Sequence, residues 1–387
     1  MLAVYALITK HTDSELLLGL IIVTKMASLG LFSPMAGYLT DRFDRRTLMI
    51  LCDAGRGLVV LGFIWIDSYS MLWLAYVLMA AQMMMSSVFE PAKTSSIPNV
   101  TKPEQLVNAN ILSSLSWSII FTTGMAIGGL ATAWIGIDTV FLLNTLSYFA
   151  SGWFIWRVVI PQVKAGKESG IGRNPLHGIV NGFRFLRENT HVLRPALAKG
   201  AFTMFLGSLV YMMVLVSENI LEMGSIGLGL IYASRGAGTA VGPFVGRRLF
   251  RSEDTWIQAM GLFMILGGIC YLVVGFSSSL LVIMLFVFLA HMNSGANWVM
   301  STVLLQRRAP DVYRGRSFSV EWLFFTMAQS GSILIASNLL DQNWLTLNEA
   351  ILLFAGLLIL TGVIWSSTVT VKEKRYVRGL HFRTSEV

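Results

Sequence analysis

Residues 37–51 read GYLTDRFDRRTLMIL, and the setting of this stretch decides the fold. Asp41, Arg42, Asp44, Arg45 and Arg46 crowd into a short turn, with apolar segments at about 16–38 before it and 46–66 after it. Roughly 20 predominantly apolar residues cross the hydrocarbon core of a bilayer. Each flank is therefore long enough to span, and the charged turn is expected at a membrane surface. The composition agrees. The 387-residue chain is 55% hydrophobic and 13% charged, with a mean hydropathy of +0.66, whereas about a quarter of an ordinary soluble domain is charged. A formal charge of +8 raises nucleic acid as a partner, but 11 Trp, 23 Phe and repeated uncharged runs fit bilayer-spanning helices instead.

Working outward from the turn, further apolar runs fall at roughly 71–89, 108–134, 138–160, 199–219, 227–246, 257–276, 279–303, 317–338 and 346–368. Together with the two flanks they predict eleven full spans. Residues 1–9 read as the outer half of one more helix whose beginning lies upstream, and an extension of about 15–30 residues is expected from the shortfall against a full span. The start MLAVYALITKHTDSELL shows none of the basic region, apolar core and small-residue cleavage site of a secretory signal. Lys and Arg are retained on the cytoplasmic side of membranes, so placing 37–51 in the cytosol fixes the side of every other loop. Of the 29 Lys and Arg, Lys10 alone then falls outside, and Lys25, Arg56 and Arg235 lie within spans. All others are inside, including those of the C-terminal tail.

The turn resembles the signature loop between the second and third helices of the major facilitator superfamily, Gly-x-Leu-Ala-Asp-Arg-x-Gly-Arg-Lys. Gly37, Leu39, Asp41, Arg42, Arg45 and Arg46 fall on that pattern, and Asp44 stands where the family usually has glycine. The resemblance implies an all-α polytopic membrane protein of twelve transmembrane helices, the first truncated, in two six-helix halves at 1–160 and 199–370. A cytoplasmic linker at 161–198 and a cytoplasmic tail at 371–387 complete it. Within the linker, Asn174 reads as an N-cap and Pro175 as the first helical residue. Leu176, Ile179, Val180, Phe183 and Leu186 follow at helical spacing, which predicts an amphipathic helix on the inner membrane surface. The resemblance also implies that the loop aspartate latches onto the start of the eleventh helix. There YRGRSFSVEW places Arg314 and Arg316 at the loop end and Glu321 about a turn inside. Asp41 at that helix N-terminus is favoured by the helix dipole, typically by about 0.3–1 kcal/mol when exposed. Against the gate stands a plainer role, a solvated basic loop that only sets topology.

Asp53 and Arg56, three apart on the third span, share a helix face and are expected to pair. At about 15 Å depth an unpaired charge there would cost about 2.5–3.5 kcal/mol or more. The pair is either a conformational switch or a static brace, and Asp53 is the candidate acidic proton carrier. Lys25, Gln82, Asn144, Arg235, His291, Asn293 and Asn297 are the remaining intramembrane polar groups, candidates for a substrate or proton pathway by position. Lys25 has the alternative of extending to the outer interface, and His291 that of a satisfied interhelical hydrogen-bonder. The glycines of SRGAGTAVGPFVG follow no strand and so read as helix-packing residues rather than a phosphate loop. Met79 and Met83 to Met85 either line an adaptable apolar cavity or pack in core and lipid.

The stretch MMMSSVFEPAKTSSIPNVTKPEQLVNAN resembles the end of helix four in the drug–proton antiporter branch, which includes macrolide-efflux proteins and the enterobactin exporter. Phe89, Pro91, Ala92, Pro98, Leu106, Ala109 and Asn110 carry that likeness. GMAIGGL departs from the Gly-Pro pair common in the fifth helix of antiporters, and the fourth span lacks the membrane arginine of many proton-coupled relatives. The resemblance implies a monomeric secondary transporter of the plasma, or bacterial inner, membrane that exports amphipathic small molecules, drug-like or siderophore-like, by alternating access coupled to protons. Membrane lipid and the small-molecule substrate are its partners, with no nucleic acid. Alternatives are a lysophospholipid-type transporter, which Pro91, Ala92 and Lys93 also resemble, and a non-transporting receptor or scaffold. No catalytic constellation, cofactor motif or metal-ligand spacing is present, and Cys52 and Cys270 read as buried small residues.

Overall fold

The computed structural model describes residues 2–12, 15–162 and 175–385, and among them every regular element is helical. In chain order these are α1 (Leu2–His11), α2 (Glu15–Arg42), α3 (Arg45–Gly62), α4 (Leu72–Val100), α5 (Leu106–Ile135), α6 (Ile137–Arg157) and α7 (Pro175–Glu188). There follow α8 (Thr190–Leu215), α9 (Gly224–Leu249), α10 (Trp256–Gly275), α11 (Leu280–Arg308), α12 (Asp311–Asp341), α13 (Leu347–Ile364) and α14 (Thr370–Ser385). Seven helical stretches among the described residues are long and apolar enough to cross a membrane. Large apolar side chains such as Leu31, Leu51, Trp65, Phe276 and Leu281 stand exposed, as lipid-facing surfaces require. Asn174, expected as the N-cap of α7, lies outside the described residues.

Several helix ends differ from the apolar runs, and in three places the local arrangement is informative. The charged turn shrinks to Phe43 and Asp44, because α2 continues through Arg42 and α3 begins at Arg45. Asp44, where the family pattern has glycine, is extended and accepts hydrogen bonds at 2.7 Å from both the backbone N–H and the hydroxyl of Thr47. That is N-cap chemistry, and it starts α3 abruptly. At the far end of α4 the helix runs on through Pro91 and Pro98 to Val100, with Ser87 and Ser96 returning hydroxyl hydrogen bonds to carbonyls in the same stretch. Helix α12 begins at Asp311, ahead of the apolar run at 317, so Arg314 and Arg316 are helical rather than at a loop end.

The chain forms two compact units. The first comprises Met1–Pro103, Thr123–Glu188 and Ala309–Leu323; the second comprises Glu104–Thr122, Asn189–Arg308 and Phe324–Val387. The core of the first is built on Phe63 stacked against Phe141, ring centres 5.4 Å apart, with Ile66, Leu72, Ala75 and Met79 around them. Helix α7 docks against α2 and α12 of the same unit by a face other than its most apolar one. Gly178, Gly182 and Leu186 are buried and Phe185 stacks on Tyr313 at 4.1 Å, whereas Leu176, Val180 and Phe183 are exposed. A short, small-residue stripe grips the protein and leaves the bulky stripe exposed.

In the second unit, glycines set the helix spacing. A β-carbon on Gly238 would fall 2.2 Å from the carbonyl oxygen of Phe288, one on Gly242 2.0 Å from that of Met292, and one on Gly295 2.3 Å from that of Thr239. Helices α9 and α11 therefore run side by side in the same direction with backbones touching, the packing available to small residues inside a membrane. Helix α10 lies against α13 by the same device at Gly268 and Gly362.

Candidate functional site

The short turn and the start of α12 meet within the first unit. Asp41, at the end of α2 and 2% exposed, accepts three hydrogen bonds from α12. They come from the backbone N–H of Gly315 at 2.7 Å and of Arg316 at 3.0 Å, and from Arg316 Nε at 3.0 Å. The approach is made possible by glycine on both sides. A β-carbon on Gly37 would sit 2.7 Å from the Ser319 hydroxyl and 2.8 Å from Arg316 Cα, and one on Gly315 would sit 2.5 Å from Asp41 Oδ1. Ser33 closes the contact one turn deeper by donating to the Ser319 carbonyl at 2.6 Å.

Arg45, fully buried at the start of α3, is the hub of the arrangement. It lies 3.6 Å from Asp41, donates at 2.7 Å to both the carboxylate and the carbonyl of Asp311, and reaches the Ser95 carbonyl at 3.1 Å and Asn99 Oδ1 at 3.3 Å. Its own backbone N–H is taken by Gln162 Oε1 at 2.9 Å. Arg314 shares the partners Asp311, Asn99 and Ser95. Arg316 lies over the Tyr313 ring at 4.2 Å and donates to the carbonyls of Val312 and Gly178. Three guanidiniums and two carboxylates thus tie the ends of α2, α3 and α4 to the first turns of α12, with most of their hydrogen-bonding capacity used. Arg42 and Arg46 point elsewhere: Arg42 donates to the Tyr38 hydroxyl and stands 5.5 Å from the Phe43 ring, and Arg46 donates to the Trp156 carbonyl. Glu321 is buried farther along α12.

The buried pair is also in place. Arg56 donates to Asp53 Oδ1, and its guanidinium stands 4.1 Å from the Phe89 ring and 4.8 Å from the Tyr148 ring. Gln82 donates to the Tyr148 hydroxyl at 3.1 Å, which joins a third predicted residue to the group. Asp53 lies against Gly152 of α6. Asn144, half-buried one turn before Tyr148, accepts from Ser147 at its carbonyl. Lys25 is half-buried on α2. Beside α2, α3 and α4 lies a groove of about 580 Å³ with walls that include Leu31, Leu51, Met84, Met85 and Val88, closed on one side by Ile179 of α7. Met79 is instead core and 1% exposed.

In the second unit His291 is buried, its Nε2 3.1 Å from the Tyr271 hydroxyl. Asn293 returns a hydrogen bond to the Leu289 carbonyl and borders a smaller cavity of about 270 Å³ beside Cys270, and Asn297 is 2% exposed. Arg235 is half-buried with Tyr232 5.3 Å from its guanidinium. A cluster not anticipated from sequence sits where the start of α8, the end of α11 and the start of α14 meet, where Glu373 is held at 2.6 Å by both Arg194 and Arg308 and His191 stacks on Tyr376. Asp311, Asn99 and Gln162 in the first unit were likewise unanticipated. Only Asp311 left a signal, an acid just after Pro310 at a helix start.

Comparison with known proteins gives a consistent result. The model of the Major Facilitator Superfamily matches residues 1–336. An uncharacterised MFS-type transporter of Bacillus subtilis, YfiS, is 28% identical over 365 residues, covering 88% of this chain and 82% of the relative. BacE of Bacillus amyloliquefaciens, named as a candidate bacilysin exporter, is 25% identical and covers 86% and 82% respectively. Among solved structures, the human organic anion transporter MFSD10 superposes with a TM-score of 0.74 at 16% identity, over 90% of this chain and 83% of that one.

Proposed function

We propose export, on the premise that this chain belongs to the major facilitator superfamily and is a multi-pass membrane transporter. Its cargo is an amphipathic small molecule, drug-like or siderophore-like, moved by alternating access in exchange for protons. The protein sits as a monomer in the plasma membrane with its C-terminus in the cytosol and works as two six-helix halves, 1–160 and 199–370. The observation that carries this reading is the capture of Asp41 by the N–H groups of Gly315 and Arg316. A carboxylate held by a helix start is a reversible latch: it closes one side while made and opens it when broken. The likeness to a candidate antibiotic exporter supports the outward direction. Coupling is assigned to Asp53, whose protonation would release Arg56 toward Tyr148 and Gln82.

Accumulation of fluorescent amphipathic dyes in cells with and without the protein, repeated after collapse of the proton gradient, tests export and coupling together. Lower accumulation that is lost on collapse is the expected result, and equal accumulation throughout counts against dye export. A second reading, a lysophospholipid-type transporter, draws on the groove at α2, α3 and α4, whose walls include the exposed Leu31 and Leu51 and which has room for an acyl chain. Competition between dye and lysophospholipid for transport separates the two.

A further inference from the structure

The smaller cavity of the second unit, about 270 Å³ in volume, has no part in the latch or in the Asp53–Arg56 pair. Its shape follows from how its walls are held. Helix α9 is pressed onto α11 at Gly242 and Gly295, whereas α10 is pressed onto α13 at Gly268 and Gly362. Consecutive helices bound to different neighbours leave a groove between them. Helix α9 contributes Leu249 and Phe250 to it, α10 contributes Leu262, Leu266 and Cys270, and α11 contributes Met292. Leu249, Leu262 and Leu266 are exposed, so the groove opens on the surface that meets lipid. From Leu262 to Cys270 it runs about 12 Å along α10, within the roughly 15 Å of hydrocarbon in one leaflet. Its volume falls below the roughly 300–1,000 Å³ of small-molecule sites. Asn293 is the one amide of the lining, and its N–H is already given to the Leu289 carbonyl at 2.8 Å. A slot this narrow and apolar suits a hydrocarbon chain.

Charge stands at one end of the groove. Arg248 and Arg251 bracket the lining residues Leu249 and Phe250 in sequence, and both are exposed. Neither has a hydrogen-bond or ion-pair partner among the described residues. Their neighbours are committed: Arg247 donates to Asn108 Oδ1, and Glu253 pairs with Arg307 at 2.8 Å. The segment is also held in place. Trp256 donates its indole N–H to the Phe250 carbonyl at 2.8 Å, and the Phe250 ring meets that of Phe263 edge-on at 5.6 Å. Two guanidiniums are thus presented just past the apolar run at 227–246, where a span is expected to reach the headgroups. Their planar forks match a phosphate with paired hydrogen bonds.

We propose that the groove between α9 and α10 holds an acyl chain of an anionic phospholipid from the adjoining leaflet, its headgroup taken by Arg248 and Arg251. Each basic side chain at an anionic lipid surface adds about fivefold in affinity, and the apolar slot fixes where the lipid sits. The lipid is a resident of the second unit and not the cargo, so this site does not rest on the export reading.

The test places the full-length protein in phosphatidylcholine nanodiscs doped with one of two probes, phosphatidylglycerol or phosphatidylcholine, each carrying the same diazirine in an acyl chain. Photo-cross-links are mapped by mass spectrometry and normalised to those at Leu281, an exposed side chain outside the groove. At Leu262, Leu266 and Met292 the phosphatidylglycerol probe should cross-link about tenfold more than the phosphatidylcholine probe. Arg248→Gln/Arg251→Gln should bring the two probes level there, and Arg248→Lys/Arg251→Lys, which keeps the charge, should retain most of the preference. Leu266→Trp, which fills the slot, should remove the cross-links at Met292 for both probes. In the wild type, about 1 M salt should weaken the preference, a readout that needs no variant to fold. Equal wild-type yields for the two probes, or a preference kept within about twofold by the double glutamine variant or at high salt, overturns the inference and leaves the groove to unselected bilayer lipid. Dye efflux is measured in parallel: a selective groove without efflux defeats export alone, and efflux without selectivity defeats this site alone.

Discussion

Replacing Asp41 by alanine removes the acceptor for three hydrogen bonds from α12. It also leaves Arg45 and Arg316, 0% and 2% exposed at their side chains, short of a counter-charge. Taking one partner from a buried ion pair costs about 3–5 kcal/mol. Arg45 keeps Asp311 at 2.7 Å, so the lower end applies, and at about 1.4 kcal/mol per tenfold the latched population falls roughly a hundredfold relative to the released one. Ser95 provides the reporter. It is fully buried beside the network, and its hydroxyl has no hydrogen-bond partner among the described residues, so Ser95→Cys removes no bond. With Cys52 and Cys270 replaced, the rate at which a membrane-impermeant maleimide modifies this thiol in inverted vesicles tracks the released fraction. Asp41→Ala should raise that rate by about two orders of magnitude, with membrane insertion unchanged and turnover impaired. A labelling rate within about twofold of the parent, together with unchanged turnover, would refute the latch.

Gly315→Ala should loosen the same contact although alanine favours a helix by about 1 kcal/mol. Its β-carbon would lie 2.5 Å from Asp41 Oδ1 and 2.7 Å from Thr40 Cβ, overpacking of the kind that costs about 1–3 kcal/mol, and the thiol reporter at position 95 should react faster. In the third helix, Arg56→Gln should reduce thermal stability in detergent by about 3 kcal/mol, and Asp53→Asn/Arg56→Gln should recover most of it while remaining inactive in coupled transport. A double variant no more stable than the single one would show that the two charges are not a pair. Glu373→Gln should free α14, because it is 2% exposed and holds both Arg194 and Arg308 at 2.6 Å. Limited proteolysis near residues 370–378 should then proceed faster, and an unchanged cleavage rate would mean that the tail is secured by other contacts.

The all-helical, membrane-spanning character and the positions of the apolar runs were legible residue by residue, because hydropathy and charge describe how each side chain meets its solvent. The Asp53–Arg56 pair was legible for a similar reason: both partners sit on one helix, and a spacing of three suffices to bring them together. Helix ends were read less well. Asp44 looked like a departure from a glycine pattern, and its N-cap bonds to Thr47 became evident only with backbone geometry. For α7 the most apolar stripe was legible, yet it is the Gly178 and Gly182 stripe that docks, since close approach depends on the shape of the receiving surface.

By itself the sequence determined that this chain is an all-helical, multi-pass membrane protein, where its apolar runs fall, and that acidic and basic residues crowd into one short turn between two of those runs. Tertiary structure alone decided that Asp41 is held by Gly315 and Arg316, and that Arg45 finds Asp311, 266 positions away. It decided too that Glu373 is held by both Arg194 and Arg308. The physical reason is that solvent preference belongs to a residue, whereas a hydrogen bond or ion pair belongs to two, and the second partner is named only when the helices have packed.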